Sequence, residues 1–272
     1  MYEFATDTPV SIDLRVAAGR CDLTAEPRDT ATVEVEPLNP GDDRAIQAAA
    51  DTIVQLSGGQ LTIKTPDTSG VGWLFGRRTA KLRITIAVPT GSSLEAKVAS
   101  ADLVCTGTLA TVSVNNASGD VQLDQVTGDV SMNSASGDVR VSSVGGNLKA
   151  NSASGDIDAG RVDGDVAHNS ASGDTRIGET HGTVRIHSAS GDVRIDAVVA
   201  GSVRANTASG DLIFGVPAGT GVWMDLNTAS GTTSSDLSIG GERPLAGHDV
   251  ELRGSTASGD IEIHRVPAPA AS

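Results

Sequence analysis

The chain has 272 residues and a net charge of −14, and its aromatic side chains number three Phe, two Trp and one Tyr. That charge repels nucleic-acid phosphates and anionic lipid, and no apolar run approaches the roughly 18–20 residues of a membrane span. Met1-Tyr2-Glu3-Phe4 lacks the basic and apolar regions of a secretory leader. The expectation is an acidic cytoplasmic protein with no transmembrane segment and no nucleic-acid partner.

Residues 1–96 read as a β region with one helix. Ser11 to Val16, Ala31 to Glu36, Gln60 to Lys64 and Lys81 to Ile86 alternate apolar and polar side chains, the period of a half-buried strand. Between them Ile46, Ala49, Ile53 and Leu56 recur at helical spacing, with Gly58-Gly59 as a stop. This predicts a helix over about 42–57. Cys21 and Cys105 are too sparse for a disulfide or metal framework and are expected to be buried, reduced thiols. Val71 to Arg78 concentrates Trp73, Leu74 and Phe75 before Arg77 and Arg78 in a glycine-flanked loop. It reads either as a lid over the first coil or as an aromatic anchor for a protein partner or surface.

From residue 97 to 265 the sequence repeats. Ala-Ser-Gly-Asp begins at Ala117, Ala135, Ala153, Ala171, Ala189, Ala208 and Ala257, with a variant at Ala229 and a degenerate copy at Ala99. From Ala99 the spacings are 18 five times, then 19, 21 and 28. A glycine echo nine positions after each tetrad glycine (Gly128, Gly146, Gly164 and Gly182) divides each unit into two short strands. Repeats this short cannot bury a face alone and must stack on their neighbours. The fold class predicted is all-β: a parallel β-solenoid with 18-residue coils, capped by the N-terminal region and its helix. Pro267 and Pro269 follow the last strand, where proline blunts further pairing, and 266–272 is expected to be a disordered tail.

These features together resemble a known family. The N-terminal strands, the helical segment with its Gly-Gly stop, the Gly-Trp-Leu-Phe-Gly loop and the Ser-Gly-Asp-Val coils are similar to a bacterial β-strand-repeat domain of unknown function, commonly labelled "putative adhesin". The similarity spans about 1–265 and is greatest to actinobacterial members. It implies the solenoid architecture and carries over no catalytic or ligand residues.

Several residue sets are candidates for function. Asp120, Asp138, Asp156, Asp174, Asp192 and Asp211 fall in one column, readable as Gly-Asp turn chemistry or as a calcium ladder of hard oxygen ligands. Asn115, Asn133, Asn151, Asn169, His187, Asn206 and Asn227 fall in another, readable as an amide ladder or as an outward face for glycan or ice. His168 takes an inward position as core filler. Trp223 with Met224 reads as a second plug. The histidines lie in different coils without metal-ligand spacing, and serine–aspartate adjacency is a product of the repeat itself. The reading is therefore a non-enzyme without cofactor or metal: a scaffold or a protein- or surface-recognition rod, adhesin-like. A self-assembling cytoskeletal solenoid and a glycan-, ice- or calcium-binding module are the alternatives.

Overall fold

A computed structural model of the protein describes residues 1–66, 79–237 and 249–268. Contacts divide the chain into two compact units, residues 1–139 and 140–272. Both are built from parallel strands stacked in register, which makes the fold a parallel β-solenoid.

In the first unit the strands are β1 (Tyr2–Ala5), β2 (Ser11–Glu26), β3 (Thr30–Pro37), β4 (Ile53–Ser57), β5 (Gln60–Lys64), β6 (Leu82–Pro89), β7 (Ser93–Leu109), β8 (Val112–Ser118), β9 (Val121–Val126) and β10 (Val130–Ser136). One helix, α1 (Asp43–Ala50), interrupts them. Parallel stacking already begins at Ser11, well before residue 97. β2 lies parallel to β7 over almost its whole length, with Ile12 opposite Leu94 and Cys21 opposite Leu103. On its other side β2 pairs in parallel with β5 through Ser11–Arg15 and with β6 through Gly19–Glu26. The layers therefore do not follow chain order, since β2 sits between strands that come later in the sequence. Parallel stacking then gives way to antiparallel pairs, β4 on β5, β3 on β6 and β1 on β3, and α1 packs against β3 and β6.

The helix expected over 42–57 is confined to Asp43–Ala50. Asp42 caps it by accepting the Arg44 N–H at 3.1 Å, and Asp51 closes it. Ile53 to Ser57 instead form β4, hairpinned onto β5 through Gly58 and Gly59 at φ +58° and +79°. That pair of positive φ values is the two-residue turn that matches strand twist. Gly-Gly is a hairpin turn here, and the β-branched Ile53 and Val54 that precede it belong to the sheet.

The second unit is the regular repeat. After β11 (Val139–Val144), strands β12 (Leu148–Ser152), β14 (Val166–Ser172), β16 (Val184–Ser190) and β18 (Gly201–Ser209) stack on one side of the coil. Strands β13 (Ile157–Val162), β15 (Thr175–Thr180), β17 (Val193–Val198) and β19 (Leu212–Pro217) stack on another. Alternate side chains point inward and are buried: Val166 and His168, Val184 and Ile186, Val193 and Ile195. The slender interior is filled by aliphatic chains, with Phe214 fully buried where the coils lengthen.

The last coils are also out of order. β20 (Val222–Ser230) and β21 (Thr233–Ser235) do not stack on β18 and β19. Instead β22 (Val250–Ser258) pairs with β18 on one side and β20 on the other, and β23 (Ile261–Val266) lies between β19 and β21. The spacings of 21 and 28 are the chain going outward by one coil and returning to fill the gap. Pro267 accordingly follows an interior strand and does not blunt an exposed edge, because β23 is already paired on both sides. Of the predicted tail, 269–272 lie outside the described residues.

Candidate recognition face

Each Ala-Ser-Gly-Asp corner is held by backbone approach and by side chains. Gly173 adopts φ +117°, and a Cβ there would lie 2.3 Å from the Gly155 carbonyl oxygen of the preceding coil. Glycine is required on both counts, by conformation and by space. The aspartate that follows bridges coils. In the first unit the Asp120 N–H donates to Asp102 Oδ1 at 3.2 Å and the Asp138 N–H to Asp120 Oδ1 at 3.0 Å. In the second, Asp174, Asp192, Asp211 and Asp260 donate in the same way to Asp156, Asp174, Asp192 and Asp211 at 2.7–2.8 Å. Thr232 ends the series on Asp260 Oδ1 with both its N–H and its hydroxyl, and these bonds hold the Asp260 carboxyl below its usual range.

The aspartate column is thus an Asx ladder running from coil to coil, where turn chemistry had suggested bonds within one corner. Asparagine serves equally at the echo corner, where Asn147 Oδ1 accepts the Asp165 N–H at 2.9 Å and Asp165 Oδ1 accepts that of Thr183 at 2.8 Å. The ladder therefore needs an oxygen acceptor and not a charge. Among the described residues no three His, Cys, Asp or Glu side chains converge as a metal site.

Two further columns meet the same corners. The position after each asparagine points inward and is half-buried or buried, and Ser170 and Thr207 among them cap the turn: Ser170 Oγ donates to the Ser172 carbonyl at 2.9 Å and Thr207 Oγ1 to that of Ser209 at 3.1 Å. The asparagines themselves face outward as an amide ladder. Asn133 Nδ2 donates to Asn115 Oδ1 at 3.1 Å, and Asn169 Nδ2 to Asn151 Oδ1 at 3.0 Å. Asn206 Nδ2 lies 3.4 Å from His187 Nδ1. Ala153, Ala171, Ala189 and Ala208 are exposed two positions further on. The second unit thereby presents a sheet face of small polar and methyl side chains at the roughly 4.8 Å strand repeat.

The remaining candidates are scattered. His168 is 2% exposed, with Nδ1 2.9 Å from Thr175 Oγ1 and Nε2 without a hydrogen-bond partner. Burial lowers its pKa to about 4, so it is neutral core filler. Cys21 and Cys105 are free and buried, and the β2–β7 register sets them diagonally, opposite Leu103 and Leu23. Burial first, then Asp22 and Asp102, pushes the Cys21 thiol up to about 12. Burial, then Cys21, raises Cys105 as well. Neither thiol is a nucleophile at neutral pH.

Trp223 and Met224, read as a plug, are 41% and 37% exposed, and Trp223 lies under the Arg253 guanidinium at 5.2 Å. Trp73, Leu74, Phe75, Arg77 and Arg78 lie outside the described residues. Sequence reasoning missed the alignment of Arg185, Arg204 and Arg253 in one outward row. Arg253 joins that row only because β22 inserts beside β18, and the repeat spacing carries no signal of that.

Comparisons with known proteins agree with this architecture. A family model described as Toastrack DUF4097 matches residues 11–264. Among solved structures, the chain is similar to a protein described as a putative lipid binding protein from Parabacteroides distasonis ATCC 8503, at 17% identity and TM-score 0.50 over 97% of this chain and 96% of that one. It is also similar to a putative adhesin from Bacteroides fragilis NCTC 9343, at 15% identity and TM-score 0.43 over 97% of each chain. No curated protein matches it. At 17% identity the likeness to the Parabacteroides distasonis structure concerns the fold alone.

Proposed function

Because the chain belongs to the Toastrack DUF4097 family, whose description names no activity, we propose from its geometry that it is a non-catalytic scaffold that presents a flat, adhesin-like recognition face to a surface or a protein partner. The observation that carries this reading is the in-register stacking of outward Asn and Ala columns in the second unit. Coil-to-coil bonds hold that face rigid before anything binds, and a preorganised surface loses little conformational freedom on association. The buried, neutral His168 and the buried thiols supply no acid, base or nucleophile to such a face. Among the described residues no helix is long and apolar enough to cross a membrane.

The test is adsorption of the labelled full chain to printed glycans and to cell-wall fractions. Ala171→Glu and Ala189→Glu place bulk on the exposed face without touching the core. They are expected to leave the melting temperature within a few degrees and to reduce adsorption by about tenfold, the equivalent of 1.4 kcal/mol. Wild-type protein that adsorbs to nothing, or variants that adsorb as well as wild type, would defeat this reading.

A further inference from the structure

The second unit carries a charge arrangement that the fold does not require. Arg185 of β16 lies directly opposite Arg204 of β18, which lies opposite Arg253 of β22. Like charges in register on adjacent strands repel. Other arginines of the unit do meet carboxylates: Arg161 pairs with Asp163 and Glu179, and Arg176 and Arg194 share Asp196, each within 3 Å. Arg253 is paired with Glu251 and stacked on Trp223. Arg185 and Arg204 are exposed, and among the described residues neither side chain has an ion pair or hydrogen bond. In a chain of net charge −14, two adjacent uncompensated arginines stand out against their surroundings.

The same arginines border a shallow depression of about 230 Å³, shared with Thr183, Ser202, Val203 and Glu251. That volume is below the roughly 300–1,000 Å³ of sites for drug-sized ligands, and it suits a single sugar-sized unit. The row offers planar guanidinium donors that match tetrahedral oxyanions. Thr183 and Ser202 add hydroxyls, and the Asn206–His187 pair stands two residues further along the same outward face. Two carboxylates limit the site: Glu251 is held by Arg253, and Asp225 lies opposite Arg253 on β20. The overall negative charge opposes a long polyanion such as a nucleic acid, so the chemistry favours one local anionic group.

We propose that Arg185, Arg204 and Arg253 form a binding site for a single phosphate or sulfate group carried on a sugar. The inference places one ligand on the proposed recognition face and rests on that reading. Its test uses different residues and a soluble probe, so the two can fail separately.

Isothermal titration of the full chain with N-acetylglucosamine 6-phosphate, N-acetylglucosamine and inorganic phosphate, at low and high NaCl, decides it. The sugar phosphate is expected to bind saturably with a Kd on the order of 1 mM and to weaken as salt screens the charges. The neutral sugar should give no heat, and inorganic phosphate should bind several-fold more weakly. Arg204→Gln or Arg185→Gln should cost about tenfold or more in affinity without lowering the melting temperature, because each relieves a like-charge contact. Arg194→Gln, outside the depression, should leave affinity unchanged. No saturable binding, or affinity indifferent to both row variants, would overturn the site. Inorganic phosphate binding as tightly as the sugar phosphate would overturn the sugar assignment. Wild-type protein that adsorbs to surfaces but shows no saturable binding of the sugar phosphate would defeat the site and leave the recognition reading standing.

Discussion

His168 places an ionisable ring inside an apolar column, where its neighbours in register are Ala150 and Ile186. Burial depresses its pKa from 6.5 to about 4. Above pH 6.5 the ring is neutral in both the folded and the unfolded chain, so its contribution is intact. As pH falls the unfolded chain takes up a proton that the folded chain refuses, and stability drains until about pH 4. With these two values the loss is about 2 kcal/mol at pH 5 and about 3 kcal/mol at pH 4. The double variant His168→Met/Thr175→Val removes both members of the 2.9 Å pair and installs side chains that the same columns already use, Met132 and Val193. Replacing both partners by apolar groups of similar shape is nearly neutral, so stability at pH 7.5 should change by less than about 1 kcal/mol. Urea denaturation followed by circular dichroism at pH 7.5 and pH 5 is the assay. The wild type should lose about 2 kcal/mol more than the double variant over that interval. Equal losses would show that His168 is not held neutral by its surroundings, and the reasoning would fail.

Two other outcomes test the coil geometry. Gly173→Ala drives a Cβ to 2.3 Å from a stacked carbonyl at φ +117° and should cost several kcal/mol, whereas Gly58→Asn, at φ +58° with nothing within 4 Å, should change the melting temperature by no more than a few degrees. Truncation after Asp236 removes β22 and β23; because these lie between β18–β19 and β20–β21, hydrogen exchange should report loss of protection in β20 and β21 as well, whereas a solenoid stacked in chain order would keep them.

Much of the fold was legible because a solenoid writes its geometry into the sequence. The period of 18, the alternation of Val166 and His168 with outward neighbours, and the glycine of each tetrad all follow from one coil lying on the next. The helix is overextended because Ile53 and Leu56 continue a helical spacing, whereas Val54 and Leu56, two positions apart, share the inward face of a strand. What decides between helix and strand is the hairpin, which sets Val54 opposite Ile63 and Leu56 opposite Leu61 across Gly58-Gly59. The candidate face was legible as columns, but its chemistry was not. That Asp120 accepts a bond from the next coil, and that Arg204 meets Arg253 across 49 positions, depends on which strands are neighbours.

The sequence by itself determined the repeat, the aliphatic interior and the glycine corners, since each is a demand made by a residue on copies of itself one period away. The order of the outer coils was decided by tertiary structure alone. β2 and β22 each lie between strands that chain order would not have made their neighbours. Strand edges pair wherever register and apolar face match, and equivalent repeats offer several such edges. The choice among them therefore rests on loop reach and end capping, which a local pattern does not encode.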